Sequence, residues 1–439
     1  MTESLSDDLT PTVVVVGAGI AGVATAFFLL RETDLDVLLL ESDRAGRGAT
    51  GHNAGQLTTY FERPLHDIAR QFGEEPAIEA QRAVDHANDP LDVMVAESGS
   101  TVRVERFVGH LGMYALDHLQ VHLRDHLVRR RGGLACAACV VSADASFLHE
   151  IPAEFDGLYD VVPQAQVDDL LGVAGGAYRA VLSEPKGCAN GALIVEQVID
   201  HLRLRHDGRF ALHDHTPVER IELEPSSIVL HTRTGHRVAA QVAVLCTNGY
   251  TGHSIVDRRG ATPDPLARTP VEIEACVGAM AAYFERQLRP PSATSFIRNE
   301  RIGGDEPYVY VTRRTYDRED GPATLTCIGG PADIVVDDGD YDRRAPVPGD
   351  QVSALATHAL PLADPTRPPG EPFDFVWHGL MGYTRDGIRV IGHDPGDPRL
   401  MYNLGCNGVG FLPSIHGGFK VARLLAGDDF APSIFDPRP

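Results

Sequence analysis

The chain has 439 residues, which is too long for a single hydrophobic core and predicts two or three domains. Its formal net charge of −22 argues against nucleic acid and anionic membrane surfaces as partners, because both are bound through an excess of Lys and Arg. Seven scattered cysteines are typical of a reducing compartment. Since the first eleven residues carry acids and no Lys or Arg, we expect a cytoplasmic protein.

The first predicted element is a buried strand over residues 13–16 that leads into a glycine-rich turn. Gly17, Gly19 and Gly22 complete a G-x-G-x-x-G pattern that opens an apolar helix running to about Arg31. In this pattern the first glycine makes the tight turn, the second lets a pyrophosphate approach the backbone, and the third lets helix and strand pack closely. The segment therefore predicts a dinucleotide whose phosphates lie at the helix N-terminus.

A second apolar strand over residues 37–40 supports this prediction. It ends in Glu41, followed by Ser42, and Glu41 stands nineteen residues after Gly22, where a ribose-binding acid is expected. Residues 11–30 carry no charge, but their glycine spacing and their change from strand to helix period argue against a membrane span.

The remaining pattern alternates between helical and extended segments. Alternating apolar residues in several segments predict antiparallel strands with one covered face, and hence a second, mostly β domain interleaved with the first. The segments in chain order are helices over 62–98 with a break near Gly73, strands over 227–232, 240–247, 271–277, 308–312 and 323–327, a glycine-rich loop over 405–410, and a helix from about 415 to 425.

These segments, in this order, resemble the D-amino-acid oxidase superfamily of FAD-dependent amine oxidoreductases, which includes glycine, sarcosine and dimethylglycine oxidases. The resemblance covers nearly the whole chain. It implies an α/β fold in which a Rossmann-type FAD-binding domain is interleaved with a substrate domain of antiparallel β-sheet plus helices. The expected FAD-binding domain comprises residues 12–60, 185–262 and 375–430, and the substrate domain comprises 61–184 and 263–374.

Four segments carry the resemblance. Beyond the N-terminal glycines, residues 48–56 are similar to the family's second flavin motif, and residues 247–249 are similar to a third flavin contact. The pattern over 382–411 is the most specific, because the family covers the flavin with this loop and helix. The cofactor-binding residues that the resemblance implies are Gly17, Gly19, Ile20, Ala21, Gly22, Glu41, Ser42, Thr50, His52, Asn53, Ala54, Gly55, Gln56, Val218, Thr247, Asn248, Gly249, Gly408, Val409, Gly410 and Phe411.

Two departures from the family concern the substrate carboxylate. The Arg that pairs with it in glycine-oxidase-like members falls on Met381, and the Lys that sarcosine oxidases use falls on Leu412. A buried carboxylate needs a charged partner or several donors. Either the substrate lacks a carboxylate at the usual place, which we favour, or another cation such as Arg313 or Arg314 supplies the contact.

His52 is a third departure, since many members carry Arg there. Residues 48–55 reproduce the spacing of the dimethylglycine-oxidase segment, whose His is covalently bonded to the flavin. His52 is therefore either a covalent attachment site or a polar neighbour of the ring. Candidates for the substrate pocket, each of which is also compatible with a packing role, are Tyr308, Tyr310, His378, Met381 and Tyr383.

The resemblance implies an enzyme that removes a hydride from the carbon next to an amine nitrogen, giving an imine that water hydrolyses. Its partners would be a small-molecule amine and O2 or another electron acceptor, and no catalytic acid or base is named. The alternative is a flavoprotein that serves as a non-catalytic or partner-dependent subunit. No metal is expected, because Cys136 and Cys139 form a C-x-x-C without a second pair at zinc spacing. The pattern specifies neither substrate nor oligomeric state.

Overall fold

A computed structural model of the chain describes residues 4–260, 264–266, 271–297, 308–335, 341–368, 371 and 373–438. Its strands, in chain order, are β1 (Val13–Val16), β2 (Val37–Leu40), β3 (Gln56–Thr58), β4 (Glu105–Met113), β5 (Ala138–Ser142), β6 (Asp160–Val162), β7 (Ala180–Cys188), β8 (Phe210–His213), β9 (Val218–Leu223), β10 (Ile228–Thr232), β11 (Arg237–Ala240), β12 (Val242–Leu245), β13 (Ser254–Asp257), β14 (Asp264–Leu266), β15 (Ile273–Phe284), β16 (Ser292–Ile297), β17 (Tyr308–Arg318), β18 (Gly321–Val335), β19 (Phe375–Thr384), β20 (Val390–His393) and β21 (Leu400–Leu404).

The α-helices are α1 (Ile20–Glu32), α2 (Leu65–Phe72), α3 (Glu74–Asp85), α4 (Asn88–Ser98), α5 (Leu116–Arg131), α6 (Gln164–Leu171), α7 (Gly191–Arg205), α8 (Gly349–Ala354), α9 (Leu360–Ala363) and α10 (Phe411–Leu425). A π-helical turn, Leu355–Ala359, joins α8 to α9. Within the described ranges, no helix combines the length and the apolar character needed to cross a membrane.

The nucleotide-binding pattern folds into a six-stranded sheet of order β20-β21-β12-β1-β2-β8. All neighbouring strands in it run parallel except the edge pair of β20 and β21. The four valines of β1 are buried because helices α1 and α10 cover one face and the five-stranded sheet β11-β10-β9-β13-β14 covers the other. A parallel strand that is covered on both faces requires such an uninterrupted apolar run.

The second large sheet of the molecule has ten strands. Its path is β19-β15-β18-β17-β16-β4-β7-β5-β6, and β3 also pairs with β7. The segments predicted as antiparallel strands over 271–277, 308–312 and 323–327 fall on β15, β17 and β18, which are antiparallel neighbours. The predicted class, an α/β fold with an interleaved antiparallel sheet, is confirmed.

Two helical boundaries differ from the sequence expectation. The region over 62–98 has a break at Gly73, as expected, and a second one at residues 86–87. Helix α10 begins at Phe411, four residues before the predicted start. Pro413 does not prevent this, because it lies in the first turn, where backbone N–H groups have no partner within the helix.

Two of the predicted domain boundaries fall on strands of the ten-stranded sheet. Strand β7 spans the boundary between residues 184 and 185, and β19 begins at residue 375, although both strands belong to the ten-stranded sheet. The boundary between 262 and 263 lies outside the described residues. The division stays a prediction.

Burial of His126 on α5 predicts acid sensitivity. Its side chain is 3% exposed, and burial lowers its pKa to about 4. The unfolded chain has a His126 pKa near 6.5, so at pH values between 6.5 and about 4 the histidine is protonated in the unfolded chain but not in the folded protein. The free energy of unfolding therefore has its full value above pH 6.5 and decreases as the pH falls. By pH 5 we expect His126 to have cost about 2 kcal/mol of unfolding free energy relative to pH 7.5.

The measurement is urea unfolding of wild type and His126→Gln at both pH values. The variant should lose about 2 kcal/mol less than wild type over this interval. Equal losses in the two proteins would contradict the prediction.

Candidate cofactor and substrate site

A cavity of about 840 Å³ lies between the six-stranded and ten-stranded sheets. It opens at the carboxyl ends of β1, β2 and β12, where ligands bind in open α/β sheets. Every residue that the sequence predicted as a cofactor contact lines this cavity except Gly22, Gly55 and Gly249.

The three exceptions stand behind the cavity wall and let backbone segments approach each other. A Cβ on Gly22 would overlap the carbonyl of Gly17, and one on Gly55 would overlap the carbonyl of Ala189. At Gly249, a Cβ would lie 2.5 Å from the carbonyl oxygen of Met381. These glycines therefore shape the site through packing.

The N-terminus of α1 points into the cavity. The backbone N–H of Ile20 donates to Thr50 Oγ1 at 2.9 Å, and the first turn of the helix carries no acidic side chain. Around Gly19, a built Cβ would meet a single neighbour, Thr50 Oγ1 at 3.1 Å. This leaves space for an anionic group against the positive end of the helix.

Glu41 lies at the end of β2, beside this helix start. Its carboxylate accepts hydrogen bonds from the backbone N–H groups of Ala18 at 2.8 Å and Asp43 at 2.9 Å. Burial raises its pKa, and the two backbone donors oppose that shift. The carboxylate is thus fixed in the position that suits a ribose hydroxyl.

A buried hydroxyl group provides an independent test of whether a cofactor fits. Thr247 Oγ1 lines the cavity and has no hydrogen-bond partner among the described residues. Leaving such a group without a partner costs free energy, so a ligand donor or acceptor is expected there. Together with the open space at Gly19, the hydroxyl of Thr247 fits FAD.

Hydrogen bonds hold both the side chain and the backbone of His52. Its Nδ1–H donates to the carbonyl of Gly48 at 2.9 Å, and its own carbonyl accepts from Trp377 Nε1 at 2.9 Å. On the other side, a Cβ on Gly379 would lie 2.9 Å from His52 Cβ. The hydrogen bond to Gly48 uses Nδ1, so it leaves Nε2 for another partner.

Strand β19 brings the flavin-type motifs together. Gly379 packs against His52, and the backbone of Met381 packs against Gly249. Further along, the N–H of Asn407 donates to the carbonyl of Gly382 at 3.1 Å. Three loops that are distant in sequence therefore meet one strand.

The tyrosines that are candidates for the substrate pocket, Tyr308, Tyr310 and Tyr383, also line the cavity. Met381 also lines it, but Leu412 is fully buried in α10 outside the lining. Neither Arg313 nor Arg314 lines the cavity, so the lining does not support the hypothesis that one of them replaces the missing carboxylate anchor. Arg313 instead contacts Glu285 and the carbonyl of Ala363.

For His378, the structure shows the packing role that the sequence left open. It does not line the cavity, and its ring nitrogens bond the hydroxyl of Tyr341 at 3.0 Å and the carbonyl of Ala345 at 2.9 Å. Tyr341 does line the cavity, and the neighbouring Arg343 pairs with Asp43 just after β2. His378 thus supports a segment that crosses the cavity from one sheet to the other.

Sequence reasoning missed several lining residues that carry polar groups, among them Tyr60, Glu62 and Arg389. Tyr60 and Glu62 lie shortly after the second flavin motif, and this position in the sequence could have indicated them. Arg389 is buried, donates to the side chain of Asn403 and the carbonyl of Gly405, and has its pKa lowered to about 10 by burial. No pattern in the sequence indicated Arg389.

In the part of the chain that the structure describes, no group of three or more His, Cys, Asp or Glu side chains could hold a metal ion. Cys136 is exposed and Cys139 is buried, and both are free thiols.

Comparison with known proteins agrees with this geometry. A family model described as DAO, FAD dependent oxidoreductase, matches residues 12–424. The chain is also similar to gamma-glutamylputrescine oxidoreductase from Escherichia coli K12, with 37% identity over 75 residues. That match spans only 17% of each protein.

Solved structures share the fold over almost the full length. Glycine oxidase from Geobacillus kaustophilus superposes with a TM-score of 0.66 at 17% identity, covering 98% of this chain and 99% of that one. NikD, an amino acid oxidase of nikkomycin biosynthesis, gives 0.68 at 14% identity, with 98% of both chains covered. L-proline dehydrogenase from P. horikoshii gives 0.66 at 16%, covering 99% and 98%.

Proposed function

Because the chain belongs to the DAO family of FAD-dependent oxidoreductases, whose model matches residues 12–424, we propose that it oxidises an amine at the carbon next to nitrogen. The product would be an imine, which water hydrolyses. When bound, FAD supplies the hydride acceptor. The match to a family of oxidoreductases lends no support to the alternative of a non-catalytic subunit.

The observation that carries the proposal is a cavity lined by two chemically different groups of residues. The α1 N-terminus, Glu41 and Thr247 form one group, which suits the pyrophosphate and ribose of FAD. Tyrosines form the other group, beside which an amine can be positioned and water excluded. We propose the predicted cavity-lining residues as the cofactor contacts, with Gly22, Gly55 and Gly249 as packing positions behind them.

We further propose that His52 carries the flavin covalently. Two observations support this. Residues 48–55 have the dimethylglycine-oxidase spacing, and the bond from Nδ1 to Gly48 fixes the ring with Nε2 as the remaining nitrogen. A bonded flavin cannot dissociate.

Anaerobic addition of amines tests the proposed reaction. Some small amine should bleach the flavin band of the purified protein, and admitting air afterwards should show whether O2 or another acceptor takes the electrons. A protein that stays fully oxidised with every amine and amino acid tried would contradict the proposal.

Substrate preference gives a second, quantitative prediction. Glycine, sarcosine and D-alanine should be poorer substrates than amines without a nearby carboxylate by about tenfold to hundredfold in kcat/KM, because Met381 offers no charged hydrogen bond. Met381→Arg should reduce this gap, whereas Met381→Leu, an apolar control of similar volume, should not. Turnover of glycine by wild type as fast as of the best amine would contradict the argument.

A further inference from the structure

The wall of the cavity contains a buried cation. Arg389, the residue before β20, lines the cavity and is only 5% exposed. Its Nε–H donates to Asn403 Oδ1 at 2.7 Å, and its terminal nitrogens donate to the backbone carbonyls of Asn403 at 2.8 Å and Gly405 at 3.2 Å. All three acceptors are neutral. A guanidinium has five N–H donors, so two of them are left for a further acceptor.

The charge of Arg389 is not offset within the described part of the chain. No carboxylate there forms a hydrogen bond or an ion pair with it, and burial lowers its pKa only to about 10. The side chain is therefore charged at neutral pH. Because a buried charge without a partner costs free energy, we expect a bound ligand to bring the missing negative charge.

The other arginines of the lining are in a different situation. Arg233 pairs with Glu219, and Arg343 pairs with Asp43. Arg344 is exposed, so solvent and salt screen its charge. The acidic residues of the lining have contacts with groups other than Arg389, namely backbone N–H groups for Glu41 and Asp342, arginines for Asp43 and Glu219, and the Tyr308 hydroxyl for Glu62.

Arg389 supports the loop that the family places over the flavin. This loop, residues 405–410, begins at Gly405, whose carbonyl accepts from Arg389, and α10 starts directly after it. The first turn of α10 has no acidic residue and no capping side chain, and the sequence has no Asp or Glu over residues 398–427. The helix N-terminus and Arg389 thus give this wall a positive potential.

Two parts of bound FAD can carry negative charge. The diphosphate already has a position at the N-terminus of α1, beside Gly19. The flavin ring is neutral when oxidised and becomes charged in the proposed reaction. The C–H bond next to the amine nitrogen breaks, and its hydrogen and both electrons pass to a ring nitrogen as hydride. The amine thereby becomes an iminium cation, and the ring gains one negative charge.

We propose that Arg389 supplies the positive charge that offsets this negative charge on the reduced flavin ring, and so makes the bound flavin a stronger hydride acceptor. This inference rests on the proposed amine oxidation and adds to it a named residue that sets the driving force. The charge of Arg389 is fixed by three hydrogen bonds before any substrate binds. It therefore stabilises the reduced ring without reorganisation of the site.

The reduction potential of the bound flavin tests this inference without an amine substrate. The holoenzyme is reduced slowly in the presence of a dye of known potential, and both spectra are followed. Arg389→Gln removes the charge but keeps an N–H donor, and it should lower the equilibrium constant for flavin reduction by about tenfold, or about 30 mV for a two-electron couple. Arg389→Lys keeps the charge and should retain a potential close to that of wild type.

Arg344→Gln is the matched control, because it removes the same charge from an exposed position of the same lining. It should shift the potential much less than Arg389→Gln does. Equal shifts in the two variants would overturn the inference, since net charge would then explain both.

If Arg389→Gln is isolated without flavin, Arg389→Met replaces it, because methionine is of similar length and adapts to irregular space. A wild-type potential in the neutral variant would overturn the inference. Weaker FAD binding with an unchanged potential would also overturn it and would assign Arg389 to the diphosphate. If no amine bleaches the wild-type flavin, the proposed function fails, and the potentials still decide the role of Arg389.

Discussion

Gly19→Val should yield a folded protein that has lost FAD. Gly19 has extended backbone angles, φ −77° and ψ −175°, which valine adopts readily, and a built Cβ meets only Thr50 Oγ1 within 4 Å. The apoprotein therefore has room for the valine side chain. The pyrophosphate of FAD would be excluded by that side chain, since it must approach this backbone closely.

The measurement is the ratio of flavin to protein absorbance after purification and after incubation with excess FAD. Gly19→Val should remain colourless in both cases, with a circular dichroism spectrum like that of wild-type apoprotein. Gly349→Val, at a position with nothing within 4 Å, should bind FAD normally. Gly22→Ala should instead fail to fold, because its Cβ would overlap the carbonyl of Gly17. A yellow Gly19→Val protein would refute the assignment of this turn.

In the wild-type protein, flavin should remain in the pellet after acid precipitation, while His52→Ala should release all of it. Denaturation breaks every non-covalent contact, so only a bond to the chain keeps the colour with the protein. Mass spectrometry should then find the flavin on the peptide that contains His52.

His253→Ala is a suitable control, since His253 is another histidine that lines the cavity. Its flavin should stay in the pellet. Release of all the flavin from wild type would leave His52 as a non-covalent neighbour of the ring. Retention by His52→Ala would place the bond on a different residue.

Local sequence signals predicted the nucleotide-binding half of the site. The valines of β1, the glycines over 17–22 and Glu41 are close in sequence, and their roles depend on short-range turn and strand geometry. Helix α10 begins earlier than predicted, at Phe411, because Pro413 is tolerated in a first turn.

The rest of the site depends on contacts that are distant along the chain. Arg389 is buried by packing against Asn403 and Gly405, and no periodic pattern marks such a position. Arg313 was a candidate for the cavity because of its charge. Its side chain instead contacts Glu285, the residue that follows β15. The alternation of side chains along a strand assigns each residue to one of the two faces of the sheet. Which part of the molecule packs against each face depends on tertiary structure.

Strand β19 has a consequence for how this enzyme can change during evolution. At residues 379–382 it contacts the flavin-type loops through Gly379, Gly382 and the backbone of Met381. Met381 also lines the cavity. A substitution at residue 381 can therefore alter substrate choice while the cofactor contacts of the same strand stay intact. New specificities are thus accessible through single mutations that need no compensating change in the flavin site.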